Sequence, residues 1–395
     1  MKTFKLKELL LIKNGKDHKD LNNGNIPIFG SGGIMRYGDK AIYNEESILL
    51  PRKGTLSNIQ YVDSPFWTVD TIYYSIINKE LVNPFYLFNF LKLLDLSKLN
   101  TGTGVPSMTF DSYYNLDIVL PKIETQQKIA SILSSLEAKI RINNKISIEL
   151  EAMARTLYGY WFVQFNFPDE NGKPYKSNNG KMVYEEKLKR DIPEGWNVTQ
   201  LDDVISRSGT GLNPRDNFKL GYGKNYYITI KNVKNGKIVF DDNCDRIDDE
   251  SLKIINKRSD LQVGDILFTS IEPVGVTYYI HEKPTNWNIN ESVFTIRANY
   301  DKITSEYLYM LLSSSELKSF TSNSSTGSIH KGIRHGVLKT FIFPYKDKTI
   351  TEEFSKVIIP LLKRINVIDS ENQKLAELRD WLLPMLMNGQ VKTKG

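Results

Sequence analysis

Three stretches of this 395-residue chain have residue types that could do chemistry. NPFY (83–86) is one residue away from the NPPY that stacks a flipped adenine in amino-methyltransferases, and the glycine cluster FGSGG (29–33) ahead of it suggests a cofactor loop. The third position is Phe, however, and the order strand, glycine loop, helix, acidic residue is missing. The stretch therefore reads as a structural helix start. Pro168-Asp169 followed by Glu185-Glu186-Lys187 has the form of a metal-dependent nuclease. That chemistry needs carboxylates on adjacent buried strands to grip Mg²⁺ beside the lysine, whereas both pieces fall in a polar run without an apolar strand. His330 and His335 are a close pair without a third ligand at a diagnostic spacing, so no metal is expected. No GxxxxGK[ST] phosphate loop occurs.

The elements that would position such groups are duplicated. Residues 100–121 (NTGTGVPSMTFDSYYNLDIVLP) align without a gap to 323–344 (NSSTGSIHKGIRHGVLKTFIFP), each running from a Gly/Ser/Thr turn into an alternating strand stopped by Pro121 or Pro344. Trp67–Asp70, leading to Tyr73–Ile76, matches Trp287–Asn290, leading to Val293–Ile296. NPFYLFNFL (83–91) sits opposite TSEYLYMLL (304–312), each a helix start, and Leu6–Leu9 sits opposite Leu201–Val204. The extra length of the second half is expected between residues 207 and 226.

After each proline comes a long amphipathic stretch. Ile129, Leu133, Leu136, Ile140, Leu150 and Leu157 recur at heptad steps, with the polar Asn143 and Ser147 on the same seam. Ile358, Leu361, Ile365, Ile368, Leu375 and Leu382 repeat the pattern, with Asn372 on its seam. The two helices are expected to pack together, since polar seam residues fix register and orientation. Pro360 requires the second helix to start or kink there. A helix of about 35 residues makes a rod of about 50 Å, the length of about 15 base pairs of duplex. Two similar domains on such a spacer suit a partner that is long, regular and touched at two places.

Composition sets wide bounds. The chain is 40% hydrophobic and 25% charged with a formal net charge of +6, which fits globular domains and permits a polyanionic partner. Cys244 is the only cysteine, so no internal disulfide forms, and no apolar run is long enough for a signal core or a membrane span. A cytoplasmic location is expected. Residues 166–195 are rich in Asn, Gly, Lys and Pro and read as a connector.

With repeats, helices and connector in place, the chain resembles the DNA-specificity (S) subunit of type I restriction–modification systems. IVLPKIETQQKIASIL (118–133), GYWFVQFNFPDENGKPYKSNNGKMV (159–183) and DIPEGW (191–196) carry the resemblance, which spans nearly the whole chain. The first departs from the common form in having Thr125 between Glu124 and Gln126. The resemblance implies an α+β architecture of two pseudo-symmetric target-recognition domains, built of mixed small sheets and helices. Two long helices, packed as an antiparallel coiled coil, separate them. The expected boundaries are recognition domain 1 at 1–121, first spacer helix at 122–165, connector at 166–195, recognition domain 2 at 196–345 and second spacer helix at 346–395. Each domain would read one half of a bipartite, asymmetric site in double-stranded DNA, and the helices would set the gap. The implied partners are two methyltransferase (modification) subunits, which use S-adenosylmethionine, and a restriction/translocase subunit that uses ATP and Mg²⁺. This chain would hold no cofactor and no catalytic residue. A coiled-coil adaptor for proteins or glycans, or a free-standing adenine-N6 methyltransferase, are the alternatives.

Reading bases needs donors and acceptors at base edges, with cations on phosphates. The segment joining each Gly/Ser turn to its last strand is the first candidate: Thr101, Thr103, Ser107 and Thr109, then Ser328, His330, Lys331, Arg334 and His335. PRKGTLSN (51–58) offers Arg52, Lys53, Ser57 and Asn58, opposite Ser270 and Glu272. Arg36, Tyr37, Arg215, Asn217, Lys224 and Asn225 complete the set.

Overall fold

The computed structural model describes residues 1–96, 100, 106–234, 236–324 and 332–390. The chain divides into two compact units, 1–144 with 370–395, and 145–369. Unit 1 begins β1 (Lys2–Lys5), α1 (Leu6–Leu9), β2 (Leu10–Asn14), β3 (Asn23–Gly30), β4 (Gly33–Gly38), β5 (Ser47–Pro51), β6 (Gln60–Val62), β7 (Trp67–Thr68) and β8 (Ile72–Ile77). Then follow α2 (Pro84–Lys92), α3 (Phe110–Tyr114), β9 (Asp117–Leu120) and the first part of α4 (Ile123–Tyr158). Its strands form sheets ordered β2-β8-β5-β6 and β4-β3-β7, and a β1-β9 pair.

Unit 2 takes up the rest of α4, which ends in a π turn at Gly159–Val163. Then come β10 (Met182–Glu185), β11 (Arg190–Pro193), β12 (Asn197–Gln200), a short helical turn at Leu201–Val204, β13 (Ile205–Thr210), β14 (Asn225–Ile228), β15 (Val233–Lys234), β16 (Lys237–Ile238) and β17 (Asp245–Ile247). They are followed by α5 (Asp249–Ser259), β18 (Ile266–Thr269), β19 (Thr277–Tyr279), β20 (Trp287–Ile289), β21 (Val293–Ala298), α6 (Ser305–Leu312), α7 (Ser315–Ser324), α8 (His335–Lys339), β22 (Ile342–Tyr345) and α9 (Lys348–Met387). The sheet orders β13-β21-β18-β19 and β17-β14-β20, with the β12-β22 pair, repeat those of unit 1 strand for strand. Even the rare feature recurs: β3 runs parallel to β7, and β14 parallel to β20.

Local chemistry explains why the same elements form twice. Lys5 N–H donates to Glu8 at 2.6 Å across α1, as Gln200 N–H does to Asp203 at 3.1 Å across the turn at 201–204. Asn83 caps α2 by accepting from Tyr86 N–H at 3.0 Å, and Thr304 caps α6 by accepting from Tyr307 N–H at 3.3 Å. NPFY is thus the N-terminus of a helix. Both tyrosines are buried, each in its unit's main apolar core.

The repeats align in a different register from the one expected. Lys5↔Asp117 in the first pair corresponds to Gln200↔Ile342 in the second, so Ile118 matches Phe343 and Val119 matches Pro344. Pro344 therefore lies within its strand, while Pro121 follows one. The alignment on the two prolines is displaced by two residues; because side chains alternate with period two, such a shift leaves the apolar pattern intact and goes unnoticed. The tryptophans are likewise not equivalent. Val69 N–H donates to Phe29 O at 3.0 Å where Asn290 N–H donates to Ile228 O at 2.8 Å, which puts Trp67 opposite Asn288. The extra length of unit 2 lies chiefly after Ile228, in residues 229–244 and α5, rather than between 207 and 226.

The long helices pair antiparallel within each unit. In unit 1 Asn143 donates to Glu371 at 2.8 Å and to Asn372 at 2.9 Å, and Asn372 donates to Asn144 at 2.9 Å. Arg379 faces Glu137 at 3.9 Å, so numbers rise on one helix as they fall on the other. Ile129, Leu133 and Asn143 are buried, with Leu136, Ile140, Leu375 and Leu382 partly so. In unit 2 Ser147 donates to Asp369 at 3.4 Å, and Tyr158 and Trp161 pack on Phe354 at 6.1 and 5.5 Å between ring centres. Ile358, Ile365 and Ile368 are buried there, with Leu150, Leu157 and Leu361 partly buried. α9 starts at Lys348, ahead of Pro360, and runs through it, so of the start or kink expected at Pro360 the start does not occur. The proline removes one helical hydrogen bond, which burial of the apolar seam around Ile358 and Leu362 outweighs.

The stretch read as a connector is folded. β10 and β11 form a hairpin, and Phe167 stacks with Tyr175 at 4.9 Å and with Trp196 at 5.2 Å between ring centres. Phe165, Phe167 and Ile192 join the core of unit 2. Sparse aromatic anchors, not a periodic stripe, hold it. Among the described residues no helix is long and apolar enough to cross a membrane, and no three His, Cys, Asp or Glu lie where they could hold a metal ion.

Candidate nucleic-acid interface

In unit 1 three loops meet at the exit of β5. Arg52 N–H donates to Thr71 O at 2.9 Å and Arg52 O accepts from Met108 N–H at 2.9 Å, while Lys53 bridges Ser107 and Gly54 N–H donates to Pro106 O at 2.9 Å. Asn58 donates its side-chain amide to Ser31 O at 2.7 Å and Gln60 to Gly30 O at 3.2 Å, joining the β3–β4 turn to the same cluster. Lys53, Ser57 and Thr109 are exposed. Arg52 lies 6.0 Å from the ring of Tyr73 and donates to Asp70 O at 3.3 Å. Thr109 accepts from Ser112 N–H at 3.3 Å and caps α3; Ser107 N–H donates to Asn100 at 2.9 Å. The turn at Ser31 was missed as part of this region, although its glycines signalled a tight hairpin.

The equivalent place in unit 2 uses the same backbone bonds. Ser270 N–H donates to Ser292 O at 3.0 Å, Ser270 O accepts from Ile333 N–H at 2.8 Å, and Ile271 bridges Gly332. Arg52 therefore corresponds to Ser270, and Thr109 to Arg334. Ser270 is buried and its hydroxyl donates to Ser292 O at 2.8 Å. Glu272 is exposed, and so is Arg334, whose carbonyl accepts from Val337 and Leu338 N–H at 3.0 Å while its guanidinium has no hydrogen-bond or ion-pair partner among the described residues. His335 occupies the position of Phe110: its ring meets Phe294 edge-on at 5.0 Å, as Phe110 meets Tyr73 at 4.6 Å. Burial, then the nearby Lys339, pushes its pKa down. Its Nε2 is buried without a hydrogen-bond partner among the described residues.

The remaining candidates are spread out. Arg36 is half-buried and donates to His18 Nδ1 at 3.1 Å and Leu21 O at 3.0 Å, whereas Tyr37 on the same strand is exposed. Arg215 is exposed, and Asn217 donates to Asn213 O at 3.0 Å. Asn225 is buried and donates to Asp249 at 2.8 Å, with Lys224 at 3.4 Å from the same carboxylate. The Asn225 amide, then the lysine, holds the Asp249 carboxyl below the usual range. Thr101, Thr103, Ser328, His330 and Lys331 lie outside the described residues.

Comparison with known proteins agrees with this duplicated plan. The family described as "Type I restriction modification DNA specificity domain" matches residues 1–152 and 193–379. The chain is 23% identical over 362 residues to the type I restriction enzyme MjaIX specificity subunit of Methanocaldococcus jannaschii, covering 89% of this chain and 79% of that one. It is 24% identical over 371 residues to the HindI specificity subunit of Haemophilus influenzae, covering 80% and 79%. The crystal structure of the type I S subunit from M. genitalium superposes with a TM-score of 0.59 at 16% identity, covering 98% of this chain and 95% of that one, which shows a shared fold. With two matches that together take in most of its length, the chain belongs to the type I restriction–modification DNA specificity family.

Proposed function

We propose that this chain is the non-catalytic DNA-recognition subunit of a type I restriction–modification enzyme. One observation carries the reading: a sheet frame is kept strand for strand in two units, while the polar residues at the β5 and β18 exits differ. A kept frame with changed loops suits two heads that read different bases. In this reading residues 1–121 and 196–345 each read one half of a bipartite, asymmetric site, with the segments at 122–165 and 346–395 setting the gap and 166–195 joining the halves. The exposed Lys53, Ser57, Thr109, Glu272 and Arg334, with Arg52 and Asn58 beside them, form the central patches. Tyr37, Arg215 and Lys224 are peripheral. Asn225, Ser270 and His335 support the fold around them. Two modification subunits supply adenine methylation with S-adenosylmethionine, a restriction subunit supplies ATP- and Mg²⁺-dependent work, and this chain holds no cofactor.

Co-expression with the modification subunit in a methylation-free host, followed by methylome sequencing, tests the reading. A bipartite methylated motif present only when both genes are present supports it. Methylation without this chain, or a continuous motif, overturns it.

A further inference from the structure

The connection between β14 and β17 reaches a long helix. β15 and β16 pair as a hairpin with Val233 opposite Ile238 and Lys234 opposite Lys237. Its base is rooted in the recognition sheets, for Val233 is 2% exposed in a cluster with Ile228, Leu267, Trp287 and Ile289. Its other end sets the Lys237 ammonium against Asp369 Oδ1 on α9. The Ser147 hydroxyl on α4 donates to the same oxygen at 3.4 Å. One carboxylate oxygen thus joins the hairpin and both long helices. Lys237 and Asp369 are 32% and 25% exposed, so the pair is better shielded than an open surface bridge. Beside it Gly236, Val274, Ala154, Leu362 and Ile365 line a cavity of about 440 Å³. The hairpin is therefore not packed flush on the helices, and the ion pair is a polar tie across a partly open seam.

We propose that Lys237 is a positioning residue, which through Asp369 holds the second recognition sheets at one angle on their helix segments and so narrows the gap length the protein accepts. It reads no base. This rests on the recognition-subunit reading and adds a specific residue to it.

The test is the methylome of a host carrying the modification subunit with wild-type chain, Lys237→Ala or Lys237→Arg. The expected result for Lys237→Ala is an unchanged pair of half-sites, with methylation at sites whose gap differs by one base pair raised about three- to tenfold relative to the normal gap. Lys237→Arg, which keeps the charge, should retain wild-type selectivity. Unchanged gap selectivity in Lys237→Ala overturns the proposal. A changed second half-site overturns it too, because the hairpin would then be a reader. If Lys237→Ala yields no complex, Asp369→Asn, which removes the charge but keeps an acceptor for Ser147, is read by the same criteria. Absence of any bipartite motif with wild-type chain overturns the recognition reading instead, and the inference with it.

Discussion

Between β3 and β4 unit 1 turns in two residues, Ser31 and Gly32, while between β14 and β17 unit 2 inserts residues 229–244. The short turn leans on the loop that carries Arg52 and Lys53, through Asn58 and Gln60. The long one leaves that region and joins a helix at Asp369. A second difference runs alongside it. The cation at the first exit, Arg52, has Ser270 as its counterpart, whereas Thr109 on the facing arm has Arg334. One frame therefore presents positive charge from opposite arms of the same bridge. The core tolerates only changes that keep its shape, such as Phe110 to His335, while the loops are free to change in length and charge.

The strongest expected contrast is in the cores. Register makes Ile129 in unit 1 and Phe354 in unit 2 equivalent, both buried where a long helix meets its sheet domain. Phe354 is ringed by Tyr158, Trp161, Phe162 and Tyr307. Phe354→Ala should cost about 3–5 kcal/mol and Ile129→Ala about 2–5 kcal/mol, with the phenylalanine the larger. Urea unfolding followed by tryptophan fluorescence measures both, and equal or reversed costs would contradict the larger packing role of Phe354. Asn143→Ala should cost about 1–3 kcal/mol by leaving Asn372 short of a partner in the helix seam, and the same unfolding series measures it.

Those cores were largely legible beforehand. Heptad spacing, the capping residues Asn83 and Thr304, and the order of repeated segments all follow from local rules that leave a periodic trace. What escaped was register and loop contact. The two-residue displacement at Pro344 preserves alternation, so nothing in the pattern marks it. The folded segment 166–195 is held by a few aromatic residues whose partners are not periodic. Asn225 and Ser270 look like exposed hydrogen-bonding residues in sequence, but tertiary packing buries them. Arg36 is turned inward by His18 and Leu21, contacts that no spacing rule foretells.

Next in size are the two arginines. Arg334→Ala should relax one position of the second half-site by about 1–3 kcal/mol if it meets a base edge. Arg52→Ala, if it meets phosphate, should weaken all sequences evenly and lower the salt slope by about 1. Binding titrations on duplexes with single-base changes at two salt concentrations separate these outcomes, and reversed behaviour would exchange the roles of the arms.

The smallest effect concerns acid. Burial pushes His281 down to about 4 and pushes His335 below its ordinary 6.5. A depressed folded-state value means the neutral form stabilises the fold fully above pH 6.5, and that contribution is lost as pH falls below 6.5, for His281 as it falls through about 4. His335→Phe, which installs the unit 1 residue, should change stability by less than about 1.5 kcal/mol at pH 7.5. It should also reduce the loss on acidification and leave the methylated motif unchanged. A changed second half-site would make His335 a reader.

The central claim is that two equivalent frames read separately. Replacing residues 1–121 with the corresponding segment of another family member and sequencing the methylome tests it most directly. The account predicts a motif with one half-site new and the other intact. A motif altered in both halves, or in neither, would contradict it.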